Sequence, residues 1–237
     1  MKKYFVSYGD DNYKLSKVRI EKEAIEFNYF DQVGIYGPEH LSKDFLDKTT
    51  PYIQNARGGG YWLWKPFVLK KTFDEMAFGD LCVYADAGCT FKPQHRDKFE
   101  MYCELVTTHE SGVLSFSLPP QITERCYTNK TVLEYFKVSK SLEILDSAQF
   151  VGGIIFLKKT DISQKLVNEF YSIAEIHPEF FSDVYNNITR DSNLIDHRHD
   201  QSIFSLLRKR YSTCVYDGSN FLYPDDKPEP IVVRRLK

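Results

Sequence analysis

The chain has 237 residues, 42% hydrophobic and 27% charged, with a formal net charge of −2. This is the composition of a soluble globular protein long enough to bury a sizeable core. The near-neutral balance weighs against a nucleic-acid binder, which carries a basic face or stripe. No window approaches the roughly 18 consecutive apolar residues of a membrane-spanning helix.

KYFVSY, from Lys3 to Tyr8, is a β-rich run ended by Gly9, Asp10 and Asp11, which predicts a strand feeding a loop. The opening MKKYFVSYGDDNY holds no apolar stretch of signal-peptide length. The five cysteines are odd in number and lack any CxxC pair, so a reduced, cytoplasmic setting is expected. Without a secretory signal, the glycosylation patterns at Asn129 and Asn187 carry little meaning. Residues 15–27 space Leu15, Val18, Ile20, Ala24, Ile25 and Phe27 as a helix packed on a sheet. QVGIY (32–36) predicts a second strand, followed by a polar helix around 40–48. After ARGGGYWLWKPF, Pro66 suits the first turn of a helix continued by Leu69, Phe73 and Met76.

GDLCVYADAGCTF (79–91) reads as a buried strand stopping at Asp86. A helix over 96–109, a strand over 112–118 and a helix near 129–138 follow. QFVGGIIFLKK is a strand interrupted by Gly152-Gly153. Asp161 is the expected N-cap of the next helix, and the last helix begins near Asp200. CVYDG (214–218) is a final strand before a charged, Pro-rich tail. Alternating strands and helices predict an α/β domain with a mainly parallel sheet over residues 1–222, and a loose tail over 223–237.

Ligands of open α/β sheets gather beyond the carboxyl ends of the strands, and three features fall there. Asp86 ends an apolar strand before Ala87 and Gly88, where a carboxylate and small neighbours suit Mg²⁺ or Mn²⁺ with phosphate oxygens. Taken alone, an Asp opening a turn is the plainer account. Arg57, three glycines and Lys65 before a helix start gather cations and backbone N–H groups suited to a diphosphate. The alternative is a surface loop with Trp62 and Trp64 packed into the core. Gly152-Gly153 implies a bulge or a close ligand approach. Asp200 and Gln201 stand at a helix start, where Asp200 also fits a simple N-cap. His197 and His199 have no second ligand cluster to make a zinc site.

The order of these motifs resembles that of GT-A glycosyltransferases. YADAGC is similar to their strand-end Asp-x-Asp metal motif, FVGGIIFLKK to a strand of the family 8 enzymes, and RHDQSIF to their later Asp-Gln element. RGGGYWLWKPF with YADAGC also resembles small bacterial and algal-virus sugar transferases acting on surface glycans. The resemblance spans roughly residues 3–218. It implies a single GT-A domain that moves a hexosyl or deoxyhexosyl group from a nucleoside-diphosphate sugar, by default a uridine diphosphate sugar, to a glycan or lipid-linked glycan hydroxyl. On the donor side it implies Tyr8 and Gly9 at the base, and Arg57, Lys65, Tyr84, Asp86 and Ala87 around metal and diphosphate. Gly152, Gly153 and His199 then meet the sugar. Asp200 is the expected general base of an inverting enzyme, and Gln201 the group on the far sugar face of a retaining one.

Two departures stand out. Gly88 replaces the second Asp of the metal motif, and no His follows His199, which leaves Asp217 as a substitute ligand. Two rivals remain: a sugar nucleotidyltransferase and a non-catalytic nucleotide- or carbohydrate-binding module. The basic tail IVVRRLK offers a peripheral contact with anionic lipid.

Overall fold

The structure, a computed structural model, describes residues 1–185, 193–222 and 227–234. Asn187 and the tail residues 223–226 and 235–237 lie outside them. In chain order the elements are β1 (Lys3–Tyr8), α1 (Lys14–Glu26), β2 (Gln32–Tyr36), α2 (Lys43–Thr49), α3 (Gly58–Tyr61) and α4 (Trp64–Glu75). There follow β3 (Leu81–Ala85), β4 (Cys89–Phe91), α5 (Arg96–Thr108), β5 (Val113–Ser117), α6 (Glu124–Tyr127), α7 (Lys130–Tyr135) and α8 (Leu142–Leu145). The chain continues through β6 (Ile154–Lys158), α9 (Asp161–Ile176), α10 (Asp200–Arg210), β7 (Cys214–Asp217) and β8 (Ile231–Val233).

The α/β architecture is the expected one. Six strands form a sheet in the order β2-β1-β3-β6-β5-β7. Neighbours pair in parallel except where β6 runs antiparallel to both β3 and β5. The continuous apolar run of β3 is buried along its whole length, as a central strand covered on both faces requires. One face packs Tyr4, Val6, Tyr84, Ile155 and Leu157 under α4, α9 and α10, and the other packs Phe5, Val83, Leu114 and Phe156 under α1 and α5. A fully buried Phe such as Phe156 contributes roughly 1.5–3 kcal/mol relative to exposure. In α9 the buried Leu166, Val167, Phe170, Ile173 and Ala174 recur at three- and four-residue spacing, so one stripe faces the core.

The direction of β6 positions the site. Its first residue, Ile154, pairs with the last residue of β3, Ala85. Gly152-Gly153 therefore precedes the strand rather than interrupting it, and lies beside Asp86, whose N–H donates to the Gly153 carbonyl at 2.9 Å. The expectation for α9 is corrected too: Thr160 is the N-cap, in a capping box with Ser163, and Asp161 is the first helical residue. Asn129 caps α7 through its side chain and is buried, which leaves no room for a glycan there.

Residues 227–234 are not loose. Strand β8 pairs antiparallel with β4, Cys89 facing Val233. The fully buried Glu229 anchors the segment by accepting from Lys98 Nζ at 2.5 Å, Tyr102 Oη at 2.8 Å and Asn220 Nδ2 at 2.9 Å. Burial of Ile231 and Val232 takes the apolar part of the tail away from any lipid surface. Among the described residues, no helix is long and apolar enough to cross a membrane.

Candidate functional site

A cleft of about 650 Å³ opens where the carboxyl ends of β1 and β3 meet the start of β6. Its first wall follows β1. Tyr8 ends that strand and stacks on Trp64, ring centres 4.1 Å apart at 11°. Gly9, Asp10 and Tyr13 continue the wall.

Opposite them, the glycine run forms a left-handed turn. Five successive residues have positive φ: Gly58, Gly59, Gly60, Tyr61 and Trp62, at 60°, 58°, 99°, 54° and 58°. The Tyr61 and Trp62 amides close it by donating to the Arg57 and Gly58 carbonyls at 2.7 and 3.3 Å. Left-handed backbone costs Tyr61 and Trp62 about 1–2 kcal/mol each. Packing offsets that cost: the Trp62 ring stacks on His199 at 5.1 Å, and Trp64 Nε1 donates to the Gly58 carbonyl at 3.1 Å. Gly60 is the tightest position, where a Cβ would sit 2.3 Å from the Ile53 carbonyl oxygen. We expect Gly60→Ala to lower stability by about 2 kcal/mol or more, read as a fall in melting temperature. Gly79→Ala, with φ 89° but nothing within 4 Å of its Cβ, is the control and should lose less.

The floor of the cleft is a charge cluster. Lys65 is only 2% exposed, and its Nζ donates to Asp200 Oδ2 at 2.5 Å and to the Gly152 carbonyl at 3.1 Å. Asp86 Oδ1 lies 3.3 Å from the same Nζ. Three partners match the three protons of an ammonium. Burial works against the Lys65 charge, but Asp200 and Asp86 outweigh it and hold its pKa above the ordinary lysine value. Burial pushes the Asp200 carboxyl up to about 6, against the pull of Lys65 and with the added repulsion of Asp86. Tyr84, fully buried, donates its hydroxyl to Asp86 Oδ1 at 2.5 Å and fixes that carboxylate from below.

The two glycines before β6 divide the floor. A Cβ on Gly153 would lie 2.7 Å from Asp86 Oδ2, so glycine keeps open a cradle around that oxygen. A Cβ on Gly152 would lie 2.8 Å from the Cβ of Gln201, so glycine lets Gln201 close in. The Gln201 Oε1 accepts from the Gly152 N–H at 3.1 Å.

His199 stands at the N-cap of α10 with φ 52°, a left-handed conformation uncommon for a residue with a Cβ. Its Nδ1 donates to the Phe181 carbonyl at 2.6 Å, and burial lowers its pKa. The neutral ring therefore keeps its lone pair on Nε2, which has no hydrogen-bond partner among the described residues. His197 is different. Its Nε2 donates to the Phe180 carbonyl at 2.8 Å and its Nδ1 accepts from the Asn129 amide at 3.2 Å. Burial holds its pKa down to about 3, so it is a neutral structural residue.

The structure brings Tyr8, Gly9, Arg57, Lys65, Asp86, Ala87, Gly152, Gly153, His199, Asp200 and Gln201 to one cleft. Three expectations change. Tyr84 does not line the cleft; it supports Asp86 from the core. Lys65 is not an open phosphate ligand, because its ammonium lies between two carboxylates and a carbonyl. Asp217 is the exposed last residue of β7 with its carboxylate on the Ser219 amide at 2.9 Å, and is not a lining residue. Arg57 reaches the rim already paired, 2.8 Å from Asp183 and 3.4 Å from Asp196.

Asp10 and Tyr13 also line the cleft although no motif marks them; their place just past the carboxyl end of β1, where ligand contacts concentrate, is the signal in the sequence that points to them. Phe221 and Val233 line it too, and no local pattern marks them. Among the described residues, no three His, Cys, Asp or Glu side chains gather as a ready-made metal cage.

The sequence matches no protein-family model and no curated protein. Among solved structures it is similar to a glycosyltransferase involved in the glycosylation of the major capsid of PBCV-1, with a TM-score of 0.44, 9% identity, and 83% of this chain and 81% of that one covered. It is also similar to mouse xyloside xylosyltransferase 1 in its apo form, with a TM-score of 0.46, 10% identity, and coverage of 92% and 85%. A third is the galactosyltransferase LgtC in complex with donor and acceptor sugar analogs, with a TM-score of 0.46, 10% identity, and coverage of 95% and 79%. These structures are all glycosyltransferases, and likeness at this level assigns no role to any residue of this chain.

Proposed function

We infer that the chain is a glycosyltransferase acting on a nucleoside-diphosphate sugar, by first choice a uridine diphosphate sugar, with a glycan or lipid-linked glycan hydroxyl as acceptor. One observation carries this reading: motifs far apart in sequence, Asp86, Gly152-Gly153 and Asp200-Gln201, meet at the floor of one cleft. Tyr8 and Trp64, stacked on each other and buried, make a rigid aromatic backing to the wall beside which a nucleoside would lie. The Asp86 end of the floor then takes the diphosphate, and the Gly152, Gln201 and Asp200 end takes the sugar.

The residues present fit a divalent cation such as Mn²⁺ or Mg²⁺. Asp86 Oδ1 is engaged by Tyr84 and Lys65, while Oδ2 faces the cradle that Gly153 leaves open. One carboxylate plus substrate phosphate oxygens is an ordinary protein share for such an ion. When bound there, the cation offsets the negative charge that develops on the diphosphate. In the transfer, the bond between anomeric carbon and diphosphate oxygen breaks with its electron pair leaving on the diphosphate. The acceptor oxygen forms the new bond and gives up its proton to the departing diphosphate. Positive charge on the sugar is met by the Asp200 carboxylate and the Gln201 amide oxygen.

Calorimetric titration with uridine diphosphate tests the donor side. Binding should require Mn²⁺ or Mg²⁺ and should be lost in Asp86→Ala. Gly153→Ala, whose methyl enters the Oδ2 cradle, should weaken it by about tenfold or more. Binding unaffected by both substitutions removes Asp86 from the donor site. Binding without any hydrolysis or transfer across donors leaves a binding module instead.

A further inference from the structure

Behind the cleft floor a second polar network leads away from the site. Glu124 is fully buried, and four donors converge on its carboxylate: Lys209 Nζ at 2.6 Å, Ser205 Oγ at 2.5 Å, Thr128 Oγ1 at 2.8 Å and Gln149 Nε2 at 3.1 Å. Gln149 is also fully buried. Its Nε2 lies 3.2 Å from the Tyr127 carbonyl, 3.0 Å from Thr128 Oγ1 and 3.2 Å from Ser202 Oγ. The Thr128 hydroxyl donates to Glu124 and the Ser202 hydroxyl to Tyr127, so both oxygens are left as acceptors toward Gln149. Every group on that side accepts. A flipped Gln149 would press its carbonyl oxygen against a carboxylate and a peptide carbonyl.

The consequence runs back to the cleft. With its NH₂ held toward Glu124, Gln149 presents Oε1 to Gln201, whose Nε2 donates to it at 2.9 Å. The Gln201 Oε1 is thereby turned to the Gly152 N–H and the cleft. An amide has no intrinsic preference between its two ends, and the network decides which one the site sees.

We propose that Glu124 and Gln149, neither of which lines the cleft, are positioning residues that lock the Gln201 amide with its oxygen toward the bound sugar. The acceptor-only surroundings of Gln149 make the lock one-way. The part concerning turnover rests on the proposed transferase reading; the orientation of Gln201 does not.

The experiment therefore has two arms. The first uses isotope-labelled protein and the through-hydrogen-bond coupling between the Gly152 amide nitrogen and the Gln201 side-chain carbonyl carbon. It should be present in the native chain and lost or strongly reduced in Gln149→Met, which removes the acceptor for Gln201 Nε2 at similar volume. Glu124→Gln, which removes the charge that orients Gln149, should weaken it too. The second arm follows release of uridine diphosphate from uridine diphosphate glucose and uridine diphosphate galactose. Gln149→Met should lower kcat roughly tenfold to a hundredfold with uridine diphosphate affinity unchanged, and should cost nothing further in a Gln201→Ala background. A coupling that persists in Gln149→Met overturns the proposal, as does an undiminished loss of kcat in the Gln201→Ala background. A coupling that behaves as expected in a chain that turns over neither donor supports the orientation and counts against the transferase reading alone.

Discussion

Lys65→Met is expected to destabilise the protein by about 3–5 kcal/mol at pH 8, because it leaves two carboxylates facing each other with no cation between them. Asp200 is 5% exposed and lies 2.5 Å from Lys65 Nζ, so methionine offers it neither charge nor water. Asp86 is two-thirds covered and keeps its Tyr84 hydrogen bond, so it suffers less. The loss should depend on pH. Even with Lys65 present, burial raises the Asp200 carboxyl from 3.8 to about 6, and removing the ammonium takes away the main influence holding it down. A carboxyl whose folded pKa lies above its unfolded one favours the folded state below the unfolded value. That contribution is lost as pH rises through the folded value. Urea unfolding of Lys65→Met should therefore show a smaller deficit at pH 5 than at pH 8. Adding Asp200→Asn should recover part of the loss, since no buried charge is then left alone. A deficit under 1 kcal/mol that is flat with pH would mean that Lys65 does not bridge two ionised groups.

Much of the site is legible in the sequence because it is written locally. An apolar run that stops at Asp86 is a strand delivering a carboxylate to the sheet edge, and that is what β3 does. Asp200 and Gln201 at a helix start are equally local. The role of Lys65 is not local, because its partner Asp200 is 135 residues away and a cation beside glycines suggests phosphate as readily as carboxylate. Strand direction leaves no periodic trace either. An antiparallel β6 and a parallel one share the same apolar run, and only pairing with β3 brings Gly152-Gly153 to the site from the amino-terminal end. The glycine run announces an unusual turn, but its extension through Tyr61 and Trp62 depends on the His199 and Gly58 contacts made in the folded chain. The tail is docked for a similar reason: three residues of β-rich sequence are held by the buried Glu229, whose partners lie on α5 and beyond β7.

Asp200→Asn is expected to lower transfer by about 10²–10³ while leaving uridine diphosphate affinity within about twofold. Asparagine keeps the shape of the side chain and still offers an oxygen to Lys65, so the floor of the cleft should survive. What disappears is one negative charge at the sugar end, where positive charge grows as the bond to the diphosphate breaks. The loss should therefore fall on kcat rather than on donor binding. The native pH profile supplies an independent check. Asp200 must be ionised to act, and its pKa is raised to about 6, first by burial. In the profile of kcat/KM, activity should rise with pH through about 6 and then level, and Asp200→Asn should erase that limb. A variant that retains most of its turnover, or that keeps the same acid limb, would assign the charge at the sugar to another group. Gln201 alone would then be the residue facing the reacting carbon, and Asp200 would be left with the task of holding Lys65.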